Sequence, residues 1–404
     1  MMVTDRSQRA LLRGAVAVVF VAACVAGVVW QFESRVTLPS GISADDYALA
    51  RAVVAKSQVR DPESAVWLQL GEWAFQRKDF AAARASYRQI PSDRGEAGCR
   101  ARALEGETSF RLGLATEAEA NFREAISFAE AGKFQTLPEW SGSHSWLRNV
   151  LEIELRFEER HELLTIRHQA GVPEVLDTVV WCFPSLLRWN GAEAVAGLEK
   201  FHAGNPQDFR VRVALARYRT GAGQLEEALA VVTSCLAERP DDLPANAAML
   251  ELHSATGEWD AMRTVIERLP SVARTDPWLL LLMRGHLLQH DEQWAKAEAC
   301  FRILLEIDAS QVEARTGLAR ALRGQGRTSE AQQIDAQAAV LARIQNRLGW
   351  ILERPGVEPL VETAEMCHEI QLARQCSWMA RQALQIEPQN KRALELLQQT
   401  SSRP

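Results

Sequence analysis

Two segments of the 404-residue chain begin as a zinc-protease helix does. His161-Glu-Leu-Leu-Thr165 and His368-Glu-Ile-Gln-Leu372 each set a histidine beside a glutamate that could act as general base. Each lacks the second histidine, four residues on, that would complete a metal site. His286 and His290 do stand four apart, with Asp291 next, so a helix brings both imidazoles to one face. Two ligands are too few for a resident metal, and a groove-lining or solvated pair is the favoured reading. The chain contains no GxxxxGK[ST] phosphate loop, no GxSxG elbow and no CxxC pair. No catalytic residue, metal or cofactor is therefore expected, and the chain reads as non-catalytic.

The elements that would position any of these side chains are written in a period. Ala194, Ala228, Ala297 and Ala331 are 34, 69 and 34 residues apart, and 69 is one step of 34 plus one of 35. Pro206 and Pro240, Gly223 and Gly257, and Gly285 and Ala319 are also separated by 34. A fixed interval of this size marks a stacked helical repeat. Composition agrees with a folded protein: 47% hydrophobic and 24% charged residues. The net charge of −6 and pI near 5.9 offer no basic field, which disfavours nucleic acid as a partner.

The repeat resembles the tetratricopeptide unit, a helix–turn–helix with small residues in both helices, an aromatic near the turn and often a closing proline. In the first unit Trp67-Leu-Gln-Leu-Gly71, the turn Lys78-Asp-Phe80, Ala83 and Tyr87 carry the resemblance. Gly106, Gly113, Ala118, Phe122 and Ala125 carry it in the second; a third, around residues 141–172, is degenerate. The fourth shows Ala194, Leu198 and Pro206, and the fifth Leu215-Ala216, Gly223, Ala228 and Pro240. Gly257-Glu-Trp259 with Met262, then Gly285, Trp294, Ala297 and Phe301, then Leu318-Ala319, Gly326 and Ala331 follow. Ala364, Cys376, Ala383 and Pro388 mark a last unit, and Lys391–Gln399 reads as a helix closing the open end. The physical need behind the small residues is the ~8–10 Å spacing of packed helices. Residues 127–145 and 346–356 break the register and are expected as a long connection and a shift of one helical turn or more.

The resemblance implies an all-α, right-handed α-solenoid of eight or nine such units in which each touches only its neighbours. The expected divisions are leading helix and linker 33–63, first repeats 64–174, central array 175–345, and last repeat with cap 346–404. Of the seven cysteines, Cys182, Cys235, Cys367 and Cys376 fall where helices pack and are expected as buried thiols. Cys367 and Cys376, on facing helices of one unit, are the one pair worth testing for a bridge.

Ahead of the array, residues 1–13 carry Arg6, Arg9 and Arg13 against Asp5, and residues 14–32 (GAVAVVFVAACVAGVVWQF) contain no charge. Nineteen helical residues reach roughly 28 Å, near the thickness of a hydrocarbon core. An uncleaved transmembrane anchor with a cytoplasmic N-terminus and an extracytoplasmic, periplasmic array in a bacterial cell envelope is the favoured reading. A cleaved signal peptide, or a lipoprotein acylated at Cys24 after Val21-Ala22-Ala23, are the alternatives.

In the resembled family the first helices line a concave groove that holds partner peptides. Mapped onto this chain, the groove would include Phe183 and Leu187 from an apolar patch with Val179 and Leu186, then Arg210, Arg217, His286, His290, Arg320 and Arg323. Arginines there fork onto carboxylates, which suits a protein or peptide partner with an acidic segment. The function implied is a membrane-anchored scaffold or adaptor; a lipoprotein assembly factor, or a framework for a membrane-bound enzyme or metal-binding module, are the alternatives.

Overall fold

The computed structural model describes residues 38–57, 59–169, 175–186, 191–272, 275–354 and 356–401. These are helical throughout, with no strand among the described residues. The expected anchor at 14–32, Cys24 and Leu187 lie outside them. No helix among the described residues is long and apolar enough to cross a membrane. Contacts divide the chain into two compact units, the division falling between Thr108 and Ser109.

The first unit opens with α1 (Ala44–Val54), α2 (Pro62–Gln76) and α3 (Phe80–Tyr87), and ends within α4 (Gly95–Arg111). Ser43, Asp61 and Asp79 cap the first three, each side-chain oxygen accepting an N–H inside the first turn. Tyr87 is fully buried with its ring lying on Gly71, where a Cβ would come 2.2 Å from the ring. That is the helix crossing the sequence anticipated: the aromatic of the second helix occupies the space a side chain on the first would need. Ala74, Ala82 and Ala83 pack with Tyr87, while Trp67, Leu70 and Ile90 form a second cluster with Ala50 and Val54 of α1.

The second unit continues with α5 (Ala115–Gly132), α6 (Pro138–Ile153), α7 (Phe157–Gln169), α8 (Val175–Cys182) and α9 (Gly191–Gly204). Next come α10 (Phe209–Gly221), α11 (Leu225–Glu238), α12 (Leu243–Thr256), α13 (Trp259–Arg268), α14 (Trp278–His290) and α15 (Trp294–Ile307). It ends with α16 (Val312–Gly324), α17 (Thr328–Glu353), α18 (Val357–Glu369), α19 (Ala373–Ile386) and α20 (Lys391–Ser401). From α10 to α16 each first helix packs on its own second helix, and α10, α12 and α14 each pack on the next first helix as well. Phe301 of α15 sits between Gly285 and Gly317, which belong to two successive first helices.

One backbone device marks the pairs. Lys78, Gly113, Leu155, Gly223, Gly257, Glu292, Gly326 and Gln371 each hold the turn between two helices with φ between 56° and 82°. The next N–H donates to the carbonyl five residues back at 2.8–2.9 Å in all of them. This is the Schellman closure, which satisfies a carbonyl that the helix end would leave bare. Four of these residues are not glycine, so the turn imposes its left-handed geometry on side chains that disfavour it. The degenerate third unit is thereby a regular pair, α6 and α7, joined at Leu155.

Three expectations need correction. Residues 127–145 are not a long connection: α5 runs to Gly132 and α6 starts at Pro138, so the link is 133–137. Residues 346–353 are not a break either, because α17 continues through them as a helix of 26 residues. Finally, the pairs do not touch neighbours alone: α8 packs against α17 and α19, far along the chain. Helices α7 and α8 and the turn after α8 are tied to later units by Glu158 on Trp278, Ser185 on Asp308, Gln345 on Leu186, Gln375 on Cys182 and Gln382 on Thr178. These partners lie 120 to 204 residues apart in sequence. The repeats of the second unit therefore close on themselves.

Candidate interaction surface

The structure scatters the expected groove residues. Phe183 is not on a wall: it is fully buried, as are Val179 and, nearly so, Leu186, in one core with residues of α17, α18 and α19. The apolar patch is real, but the chain's own later helices cover it. Arg210 reaches Glu119 at 2.8 Å, Arg217 reaches Glu251 at 3.0 Å, and Arg323 pairs with Asp335. Three of the four groove arginines are thus already neutralised. Arg320 is exposed on α16 and has no carboxylate within ion-pair distance among the described residues.

His286 and His290 are taken up by different neighbours. His286 is half-buried with its ring 6.0 Å from Phe301, and burial followed by the charge of Arg320 lowers its pKa. His290 is exposed, stacks on Trp259 at 4.5 Å and bonds Asp291 at 3.2 Å. No group of three His, Cys, Asp or Glu among the described residues could hold a metal ion. Cys182, Cys235, Cys367 and Cys376 are free and buried, as their packing positions lead one to expect, and so are Cys99 and Cys300.

Positions one repeat apart meet on neighbouring first helices. Arg217 bonds Glu251, 34 residues on, and Arg320 sets its charge on His286, 34 residues back. At the far end Arg392 bonds Glu358 at 2.6 Å, again 34 residues away. The period of the sequence thereby becomes a ladder of side chains across α10–α12 and α14–α16.

Arg210 also belongs to a polar cluster that sequence reasoning missed. Glu119 on α5 accepts from Arg156 at 2.6 Å, Arg123 at 2.8 Å and Arg210 at 2.8 Å. Burial alone would raise the Glu119 carboxyl, but Arg156 and then Arg123 outweigh it and bring it down to about 2. Glu154, buried beside Arg156, goes the other way: burial lifts it to about 7, with Glu119 and Asp208 adding to the rise. One cation cannot fully serve every carboxylate around it.

A second missed feature is the seat of α8. Trp181 stacks on His168 at 4.4 Å, meets Trp378 edge-on at 5.5 Å, and has the Arg374 guanidinium 4.9 Å above its ring. Its indole N–H donates to Thr165 at 2.8 Å. Burial, then the charges of Arg374 and Arg160, hold His161 at about 4, and burial lowers His168 too. Both imidazoles are neutral at pH 7 and serve as aromatic faces. The signal was present in the sequence: Val179-Val-Trp-Cys-Phe183 is an unbroken apolar run, which is at home in a core.

Residues 219–283, from the end of α10 into α14, match the sequence model of the tetratricopeptide repeat. No curated protein matches the chain. Among solved structures, the human IFIT1 dimer with PPP-AAAA is 13% identical, covers 89% of this chain and 95% of its own, and has a TM-score of 0.35. The Cut9–Hcn1 hetero-tetramer of the APC/C is 12% identical, covers 88% and 87%, and scores 0.24. The tetratricopeptide repeat protein TTC0263 of Thermus thermophilus is 14% identical, covers 52% and 89%, and scores 0.19. The helix pairs and the matched repeat, rather than these distant likenesses, carry the fold.

Proposed function

We infer that this chain is a scaffold or adaptor, non-catalytic, that holds a protein or peptide partner on the first helices of its repeats while residues 14–32 anchor it in a membrane. The observation that carries the reading is the side-chain ladder at repeat spacing, ending in an exposed Arg320 beside His286. Stacked first helices present such rows at fixed intervals, which suits an extended or helical segment laid across them. Arg320 is the position where a carboxylate of that segment gains a bidentate partner. The uncharged run at 14–32, flanked by arginines, supports an N-terminus in the cytoplasm and an array outside it. Tethering would raise the effective concentration of the array toward membrane-bound partners.

Crosslinking in native membranes tests this. Adducts formed by the wild-type chain and lost on Arg320→Glu support it; adducts indifferent to Arg320→Glu, or none at all, overturn it. The segment Val21-Ala-Ala-Cys24 favours one second reading, a lipoprotein assembly factor of the envelope. Mass spectrometry of the mature N-terminus decides between them, since an acylated Cys24 excludes an intact anchor.

A further inference from the structure

Three of the ten large apolar side chains exposed among the described residues fall in one short stretch: Leu49, Val53 and Val59, at 54%, 41% and 40% exposure. Such side chains scattered singly over a surface carry no meaning, but a group at helical spacing does. Leu49 and Val53 stand four apart on α1, with the exposed Ala48 and Ala52 beside them. The opposite face, Ala50 and Val54, is buried in the first unit, and Tyr47 lies 5.4 Å from Trp67. At 11 residues α1 would be marginal as an isolated helix in water, but this packing holds it formed.

Charge on this helix is one-sided. From Tyr47 to Arg60 there is no acidic residue, while Arg51, Lys56 and Arg60 are basic. All three are exposed, and none is ion-paired among the described residues. Asp46 is already held by Arg77 through two bonds of 3.2 Å, which leaves Asp45 as the one exposed carboxylate of α1.

The chain also keeps this face close to the uncharged run that precedes it. Leu38 and Ile42 pack on the core of the first unit, and the Ile42 N–H closes a turn on the Pro39 carbonyl at 3.2 Å. Gly41 holds that turn at φ 89°, so near α3 that a Cβ would meet Ala82 at 2.9 Å. From Phe32, where the run ends, to Leu38 is roughly 20 Å of chain at full stretch.

We propose that the outer face of α1, Leu49 and Val53 rimmed by Arg51, Lys56 and Arg60, rests on the membrane surface and binds anionic phospholipid headgroups. This deepens the anchored-scaffold reading, on which it rests, by naming the face of the first unit that meets the bilayer. The apolar side chains enter the headgroup boundary, and the basic heads reach phosphates from stems laid along it. The attraction grows with each base and fades within a Debye length, about 8 Å in physiological salt, so it acts on a face held near the surface. The short tether and the absence of acid together favour lipid over a protein occupant.

Photocrosslinking in vesicles tests the proposal. The full-length chain carries p-benzoylphenylalanine in place of Leu49, or in a second preparation in place of Phe20, in vesicles of phosphatidylcholine with or without phosphatidylglycerol. Lipid adducts are expected from position 49, at least about fivefold more abundant with phosphatidylglycerol, and Arg51→Glu, Lys56→Glu and Arg60→Glu together remove that excess. Position 20 reports the anchor by itself. Lipid adducts there with none at 49 overturn the proposal and leave the anchor standing; adducts at neither position overturn both. A chain-to-chain adduct at 49, which would place a second copy on this face, overturns it as well, and so does a lipid yield indifferent to phosphatidylglycerol.

Discussion

The Glu158 carboxylate accepts the backbone N–H of Trp278 at 2.7 Å, although the two residues are 120 apart in sequence. Trp278 opens α14, whose own cap residue is Pro277 and supplies no side-chain acceptor. Asp208 and Asp242 cap α10 and α12 from the equivalent positions two repeats and one repeat earlier. The next in that series, Asp276, pairs with Arg284 instead, and Glu158 of α7 does the capping. A long-range contact thus stands in for a local one.

Loss of a capping acceptor costs about 1 kcal/mol. Glu158→Ala is expected to lower the stability of the full chain by that amount in urea titration, while Glu158→Gln, whose amide oxygen still accepts, loses less than half of it. Equal losses in the two variants would count against the cap.

Phe301 leaves no room at two glycines. A Cβ at Gly285 would lie 2.6 Å from its ring, and one at Gly317 2.5 Å, whereas one at Gly221 meets nothing within 4 Å. Overpacking of this kind costs ~1–3 kcal/mol. Gly285→Ala and Gly317→Ala should each lower the melting temperature, and Gly221→Ala should leave it unchanged or raise it. A neutral Gly285→Ala would show that the ring moves aside freely.

Asp177 is fully buried between Arg148 and Arg167, bonded to both. Asp177→Asn leaves two buried cations facing a neutral amide, a change that costs about 3 kcal/mol or more. Chemical denaturation measures it; a loss under ~1 kcal/mol would mean that water reaches the cluster.

Glu154 and Glu119 make opposite demands on pH. The folded pKa of Glu154 is raised from the ordinary 4.5 to about 7, so its contribution favours folding at low pH and is lost as pH climbs from 4.5 through 7. Glu119 is depressed to about 2, so its contribution is present above 4.5 and lost as pH falls toward 2. Glu154→Gln should therefore flatten the decline in stability between pH 5 and pH 8, and Glu119→Gln should flatten the rise between pH 2 and pH 4.5. Urea midpoints across pH check both; an unaltered slope in the Glu154 variant would place its carboxyl in an ordinary environment.

What the sequence made legible was local and periodic. Gly71 and Gly285 announced helix crossings because close packing admits nothing larger there. Gly113, Gly223, Gly257 and Gly326 announced turns; Leu155 did not, since a leucine in left-handed geometry leaves no compositional trace, and the third unit looked degenerate for that reason. The pairing of Arg217 with Glu251 could have been found by adding one repeat length to 217. That of Arg210 with Glu119 could not, because no period links them. The patch around Phe183 was visible as apolar, but periodicity reports that a face is greasy and not what covers it. Its cover lies some 190 residues downstream, at Gln375 and its neighbours.

The contact of Gln375 with Cys182 also fixes how many units the array can contain. An open stack tolerates one more repeat or one fewer, since every junction is alike. Here inserting or deleting a pair between α9 and α17 would carry Gln375 a whole step away from the carbonyl it meets. Such an architecture holds its own length constant, and copy-number drift, the ordinary route by which tandem proteins evolve, is closed to this stretch of the chain.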